Sequence, residues 1–284
     1  MGRRQRRREP ETAHIASATH DGRGIADTEG KKVFVAGALP GEEVRFQRRK
    51  FRRNYDEAEL LEVIAASPDR IEARCAVFGR CGGCSLQHIT EAAQRDIKQQ
   101  ALEDNFERIA QVSPGEWLEP MSGPAWHYRR RARLAVKDVH GKGRVLVGFR
   151  ERHAPFITDM HRCEILAEPV HELIDALSDL VGTLSIRARL PQVEVSVADN
   201  ATALVFRVLD PLTSEDEDRF REFAERYDVR VYLQPGGLDT VGLFHPESAD
   251  PLYYELPEFD VRIAFDPVGF VQVNRDINQR MVHQ

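Results

Sequence analysis

The chain carries, between residues 75 and 84, the run Cys75-Ala-Val-Phe-Gly-Arg-Cys81-Gly82-Gly83-Cys84. Thiolates at this spacing can turn back on one metal ion or cluster, because the two glycines accept the tight, positive-φ conformations that such a turn needs. Only one other cysteine, Cys163, is present in the whole chain. A fold that brings Cys163 back to the run would complete a four-thiolate site and tie two distant segments together.

Four interpretations of these cysteines stay open on spacing alone. Disulfides are disfavoured, because no signal peptide is apparent and the chain is not a small, cysteine-dense secreted protein. Structural zinc sites usually bring their ligands as two short Cys-x2-Cys pairs, whereas Cys163 stands alone. Four buried hydrophobic thiols fit poorly with the polar and glycine residues around them. The triplet with one distant cysteine is closest to iron–sulfur ligation, and we expect the four sulfurs to converge on one cluster.

Length and composition predict a globular chain with two or three domains. The chain has 284 residues, of which 42% are apolar and 30% are charged. No apolar run is long enough to span a bilayer. The need to keep four thiolates reduced or metallated favours the cytoplasm. We therefore predict a cytoplasmic monomer with no membrane contact and no obligate protein partner.

Positive charge is concentrated in two stretches, although the net charge is −6. Residues 1–60 hold 14 Lys/Arg against 10 Asp/Glu, and they begin with an arginine-rich tail at 1–11 that is predicted to be disordered. Residues 124–153 hold nine Lys/Arg against two acids. Basic stripes on an acidic protein favour a localised polyanion site over general DNA coating. A merely solvated tail is the alternative for residues 1–11.

Residues 12–69 are predicted to form a small all-β barrel of the OB-like, oligonucleotide-binding type. Alternating runs at 32–35 and 43–46 are separated by turn signals. A hairpin at 48–55 places cations beside aromatic residues, which suits a single-stranded RNA backbone whose bases are free to stack. A solvated hairpin tip is the alternative. The candidate RNA-binding residues here are Arg48, Arg49, Lys50, Arg52 and Arg53, beside the aromatic residues Phe46, Phe51 and Tyr55.

Residues 70–268 mix strand and helix patterns and predict an α+β central domain. After Thr90, a plausible N-cap, we expect a helix to about Val112 with an apolar face that includes Leu102 and Ile109. The run Ser214-Glu215-Asp216-Glu217 predicts a capping box at the start of another helix.

The strand predicted at 131–137 has one apolar and one cationic face. It follows two further arginines, so the cationic face is long enough to track a phosphate backbone. A strand that simply faces solvent is the alternative. The candidate RNA-binding residues along it are Arg129, Arg130, Arg131 and Arg133.

Residues 269–284 are predicted to begin another domain. The turn Phe270-Val271-Gln272-Val273-Asn274 leads into a helical pattern that reaches Gln284 without a terminating signal, which predicts a truncated chain. No P-loop and no Gly-x-Gly-x-x-Gly turn after a strand is present.

Together these segments resemble the iron–sulfur-containing 23S ribosomal RNA (uracil-C5)-methyltransferases. The motifs that carry the resemblance are the cysteine run continued by Ser85-Leu-Gln-His88, Tyr128-Arg-Arg-Arg-Ala-Arg133, Gly148-Phe-Arg150, Cys163-Glu-Ile-Leu166 and Phe270-Val-Gln-Val-Asn274. The resemblance implies an N-terminal TRAM barrel, a central domain with a 4Fe-4S cluster, and a C-terminal Rossmann-like methyltransferase domain. Because the chain ends at Gln284, the expected fold class has that last domain largely absent.

The same resemblance implies methyl transfer from S-adenosylmethionine to a uridine of 23S rRNA, of the type numbered 1939. It assigns no catalytic residue to this chain, because the family's nucleophilic cysteine and base would lie beyond Gln284, and so it predicts inactivity of the chain alone. The alternatives are a stand-alone iron–sulfur RNA-binding protein and a methyltransferase for another rRNA or tRNA uridine. The implied site residues are the cluster ligands Cys75, Cys81, Cys84 and Cys163, the cofactor contact Gln272, and Phe270 near the cofactor or target base.

Overall fold

The computed structural model describes residues 9–284 except Asp27 and Glu29. The arginine-rich stretch at 1–8, which belongs to the predicted basic tail, lies outside the described residues. Within the described part, no helix has the length and apolar character required to cross a membrane.

Two compact units divide the chain. The first unit holds the residues up to Gly79 together with Cys84–Pro120, and the second holds Arg80–Gly83 and Met121–Gln284. The short run Arg80–Gly83 belongs to the second unit through backbone pairing. The Gly82 N–H donates to the Arg150 carbonyl at 2.8 Å, and the Arg152 N–H donates to the Arg80 carbonyl at 2.9 Å.

A closed five-stranded barrel forms most of the first unit. The order around it is β1-β2-β3-β5-β4, and β1 closes the barrel by pairing antiparallel with β4. The sequence predicts an antiparallel barrel, whereas β3 and β5 pair in parallel. Its strands are β1 (Glu11–Ala18), β2 (Arg23–Ala26), β3 (Lys32–Ala36), β4 (Glu43–Phe51) and β5 (Tyr55–Ala65).

Every second side chain along the strands points into the barrel, where Val33, Val35 and Phe46 are fully buried. A buried carboxylate, Glu42, lies beside this core and accepts hydrogen bonds from the Arg70 guanidinium and the Leu39 amide. Burial alone would raise the pKa of Glu42, but these hydrogen bonds outweigh it and hold the pKa below its ordinary value.

Helix α1 (Glu91–Asn105) follows the barrel, and the Thr90 side chain caps it by accepting from the Ala93 N–H. A π-helical turn at Phe106–Ala110 extends it. The predicted apolar face is wrong: Ile109 is 79% exposed, and the helix buries Ala93 instead.

A six-stranded mixed sheet forms the centre of the second unit, in the order β11-β10-β9-β8-β6-β7. Every neighbouring pair is antiparallel except β9 with β10. Its strands are β6 (Arg131–Val139), β7 (Arg144–Gly148), β8 (Gln192–Val197), β9 (Thr202–Arg207), β10 (Val229–Gln234) and β11 (Gly242–His245).

Two amphipathic helices supply apolar faces to this unit, α2 (Leu173–Thr183) and α3 (Ser214–Tyr227). Helix α3 connects the parallel strands β9 and β10, and its Phe220 meets Phe206 with ring centroids 4.9 Å apart. The capping box of α3 consists of Thr213 and Asp216, so it begins one residue before the predicted run.

The C-terminal residues fold within the second unit. A two-stranded antiparallel sheet of β12 (Leu252–Leu256) and β13 (Val261–Phe265) precedes α4 (Arg275–His283). The Arg130 N–H donates to the Val273 carbonyl at 2.9 Å, so the residues before α4 pair with those before β6. Residues 269–284 therefore fold as part of the second unit, and their prediction as the start of a further domain stays a prediction.

Candidate nucleic-acid interface and cysteine site

Arg48 of the predicted RNA-binding hairpin is buried in an ion-pair network. Its guanidinium donates to Glu11 at 2.7 and 2.8 Å and to Asp56 at 2.9 Å, and its side chain is only 7% exposed. Hydrogen bonds to these carboxylates raise the pKa of Arg48 from its ordinary value, although burial opposes the change. Arg48 therefore connects β1, β4 and β5 and is turned away from any external ligand.

The other four cations of the hairpin are exposed. Arg49 pairs with Glu59 at 2.5 Å, while Lys50 and Arg52 share Glu57 at 3.0 and 3.7 Å. Arg53 has no ion pair within the described residues. Because exposed ion pairs are weak, a phosphate can displace these carboxylates at little cost. The hairpin remains a basic surface, formed by Arg49, Lys50, Arg52 and Arg53.

An aromatic platform on the barrel was not among the predicted contacts. Phe34 meets Tyr55 edge to face with centroids 5.2 Å apart, and the Arg23 guanidinium lies 5.0 Å from the Phe34 ring centre. Phe46, which the sequence placed among the hairpin aromatics, is fully buried in the core. The signal for Phe34 is its position between the buried Val33 and Val35, since alternation sends it to the outside of the barrel.

The arginines at 129–131 serve the structure of the second unit. Arg129 donates to the Arg131 carbonyl at 3.0 Å. Arg130 is 9% exposed and donates to the Val197 carbonyl at 2.7 Å and to the Asp199 carboxylate at 2.5 Å. Arg131 donates to the Pro267 and Val268 carbonyls at 2.7 and 2.6 Å.

The environment of the cationic strand differs from one arginine to the next. Burial lowers the pKa of Arg131, and the nearby Glu194 carboxylate acts in the opposite direction. Arg133 points to solvent with its side chain 65% exposed, although it also pairs with Glu194 at 2.8 Å. Of the four arginines predicted to contact RNA here, Arg133 is the one best placed to meet an external phosphate.

A cleft of about 290 Å³ lies where the residues before β6 meet the start of α4. It is lined by His127, Tyr128 and Arg130 on one side and by Asn274 and Arg275 on the other. Asn274 caps α4 by accepting from the Ile277 N–H at 3.1 Å.

Asp199 also lines this cleft, and no sequence pattern predicted it. Its carboxylate meets the Arg275 guanidinium at 3.4 Å and accepts from the Glu255 N–H at 2.8 Å, in addition to Arg130. No local motif marks it, because its partners come from three separate segments.

Gln272 and Phe270 stand on the turn before α4. Phe270 is 83% exposed, Gln272 is also exposed, and Val271 between them is buried. The Gly269 N–H donates to the Asp266 carbonyl at 2.7 Å, which fixes the preceding turn. Both predicted contacts are therefore presented outward from an anchored backbone.

The cysteines have ordered local surroundings. No disulfide joins any of them in the part of the chain that the structure describes; Cys81 and Cys163 are buried, and Cys75 and Cys84 are partly exposed. The Gly83 N–H donates to the Cys81 Sγ at 3.4 Å. A Cβ at Gly82 would come within 2.9 Å of the Arg150 carbonyl, so glycine is required there by close backbone approach.

The predicted convergence of the sulfurs is not confirmed. Within the described residues, no group of three or more His, Cys, Asp or Glu side chains is arranged to hold a metal ion. Cys75 and Cys84 belong to the first unit, whereas Cys81 and Cys163 belong to the second. A cluster site shared by the four cysteines stays a prediction.

Comparison with known proteins identifies the parts of this chain. Residues 4–61 match the TRAM domain family. Over its whole length the chain is 46% identical to a 23S rRNA (uracil(1939)-C(5))-methyltransferase RlmD of Methylococcus capsulatus and 48% identical to that of Alkalilimnicola ehrlichii. The chain is therefore similar over its whole length to methyltransferases of this name. It spans 65% and 64% of the lengths of those two relatives.

The fold agrees with a solved methyltransferase. The Pyrococcus abyssi tRNA (uracil-54, C5)-methyltransferase, solved in complex with S-adenosyl-L-homocysteine, superposes with a TM-score of 0.68 at 18% identity. The match covers 96% of this chain and 63% of the solved chain. It overturns the predicted fold class, in which the methyltransferase fold was largely absent, since nearly the whole chain follows a methyltransferase. Neither comparison supports the prediction of a truncated and inactive chain.

Substituting Arg130 by alanine is expected to destabilise the second unit by about 3 kcal/mol, because Asp199 would keep a buried charge without its closest partner. Arg133→Ala is the matched control and is expected to cost less than about 1 kcal/mol, because Arg133 is exposed. Denaturant unfolding of both variants measures the difference. Equal losses would show that Arg130 is not a structural residue.

Proposed function

We propose that this chain acts in the S-adenosylmethionine-dependent methylation of C5 of a uridine in 23S rRNA, at the position that its relatives' names number 1939. The observation that carries the proposal is the identity of 46% over the full chain with a relative of that name. A 23S rRNA substrate also favours the cytoplasm as the place of action.

RNA binding is the part of this function that the described residues support directly. The barrel matches the TRAM family and presents Arg49, Lys50, Arg52 and Arg53 at its hairpin, with Phe34 and Tyr55 as an outward aromatic pair. Cations beside exposed rings suit single-stranded RNA, because the cations neutralise its backbone and the rings stack against its bases.

The turn before α4 is the proposed approach to the reacting groups. When bound, S-adenosylmethionine supplies the methyl group. We assign to Gln272 a polar contact with it, and to the exposed Phe270 a stacking contact with a uracil lifted out of the RNA stack. The backbone pairing of Val273 with Arg130 would hold both side chains in place during that contact.

Deleting the gene for this chain from its host is expected to remove 5-methyluridine from a single position of 23S rRNA, because the proposed target is one uridine. Mass spectrometry of rRNA fragments reads the modification, and complementation with the intact gene is expected to restore it. Unchanged 5-methyluridine at every 23S position, with loss at a tRNA uridine instead, would favour the alternative substrate.

The hairpin arginines are expected to set the salt dependence of RNA binding. Replacing Arg52 and Arg53 by glutamine should lower the slope of log affinity against log salt by about 1.4, since each phosphate neutralised on a single strand adds about 0.7 to that slope. Arg187 and Arg189, exposed on the second unit, give a matched double-glutamine control that should leave the slope unchanged. Equal slopes for both double variants would remove the hairpin from the interface.

We propose further that Cys75, Cys81, Cys84 and Cys163 hold a 4Fe-4S cluster. The support is the x5-x2 spacing of the first three and the Gly83 amide directed at the Cys81 sulfur. In the reaction described above the cluster would serve to anchor the cysteine run, since methyl transfer needs no electron carrier.

Anaerobic purification of the chain is expected to give brown protein with about four iron and four sulfide ions per molecule. Serine at any one of the four cysteines should lower the iron content, whereas Ser85→Ala, next to Cys84, should keep it. Stoichiometric zinc without iron would exclude the cluster and leave the proposed methylation standing.

A further inference from the structure

A recess of about 310 Å³ lies on the central sheet of the second unit, away from the cleft at Asp199. Strand register places Gln192 of β8, Arg207 of β9 and Gln234 of β10 in one row across three strands. Arg133 and Glu194 form part of the next row, directly opposite each other on β6 and β8. Directly paired residues share a face, so these five side chains line one polar floor.

Gln234 is the unusual member of this floor. It is 3% exposed, and no hydrogen bond to its carboxamide is found within the described residues. Gln234 lines the recess, so a ligand there can reach its carboxamide and take the place of water. Its two donors and one acceptor can match a ligand edge that carries both kinds of group.

The other polar groups of the floor are already engaged, and so they fix the shape of the recess. The Glu194 carboxylate accepts from Gln192 at 3.0 Å and pairs with Arg133. Arg207 donates to the Gly236 carbonyl at 2.6 Å and so holds the glycine turn at the rim. The carboxylate repels an anion within the recess, whereas the exposed Arg133 guanidinium at its edge attracts one.

We propose that this recess binds one unpaired nucleobase of the RNA, with the Gln234 carboxamide on the base edge and Arg133 on the adjoining phosphate. A nucleobase offers donors and acceptors side by side, and sequence-specific proteins read RNA mainly through such splayed bases. The volume is sufficient for one nucleotide, at the small end of ligand sites. The inference rests on the proposed function, because it names a second contact for the same RNA.

The test is a set of single-stranded 23S rRNA oligonucleotides, each with an abasic nucleotide at one position, titrated against the intact chain. For the parent protein, one abasic position is expected to weaken binding about tenfold, and Gln234→Met should weaken binding of the unmodified RNA by a similar factor. When Gln234→Met is titrated with the abasic RNA, the loss of affinity should be no larger than for either change alone, because both changes remove the same interaction.

Further variants separate a binding role from a structural one. Gln234→Met keeps the side-chain volume and is expected to unfold near the parental temperature, whereas Gln234→Ala leaves a cavity and is expected to unfold below it; both should lose the base contact. Arg133→Gln should lower the salt slope by about 0.7 and keep the abasic penalty. Arg187→Gln, which also replaces an exposed arginine paired with a carboxylate, should change neither.

Two results distinguish the proposals. If the parent binds rRNA and both Gln234 variants keep the full abasic penalty, the recess does not hold a base, while the proposed methylation stands. If the parent binds no 23S rRNA segment at all, the RNA-binding part of the proposed function fails together with the recess.

Discussion

The Asp199 carboxylate is the interaction on which the second unit depends. Its side chain is 8% exposed and receives the Arg130 guanidinium, the Arg275 guanidinium and the Glu255 amide. These partners come from the segment before β6, the start of α4 and the hairpin strand β12. Removing the Arg130 or the Asp199 charge would leave the other buried without its closest partner, so this pair links the segment before β6 to the Asp199 turn.

The Asp199 network changes how the run of arginines at 129–133 is interpreted. A run of arginines indicates a polyanion surface when its side chains reach solvent, yet Arg130 and Arg131 direct their donors to Asp199 and to the Pro267 and Val268 carbonyls. The surface left for RNA is smaller: Arg133 on the sheet and the four exposed cations of the barrel hairpin. In the proposed function the buried arginines would serve only by holding in place the turn that carries Phe270 and Gln272.

Sequence reasoning succeeded where the signal is local. Alternation identified the barrel strands at 32–35 and 43–46, and the Thr90 cap of α1 followed from a residue type with a short acceptor side chain. It failed for the apolar face of α1, because helical spacing says which residues share a face and not whether another element covers it. The parallel pairing of β3 with β5 was likewise invisible, since register between distant strands is set by the closed barrel.

The sequence by itself determined the barrel, the family resemblance and the turn at 270–274 that leads into a helix. These features depend on residue type, spacing and the two-residue period of a strand. Only the tertiary structure decided which cations are available and which polar groups lack partners. Arg48 and Arg53 are the same residue type a few positions apart, yet one is buried between Glu11 and Asp56 and the other faces solvent. The role proposed for Gln234 also depends on the tertiary structure, because the strand pattern alone does not show that the sheet buries this side chain beside an open recess.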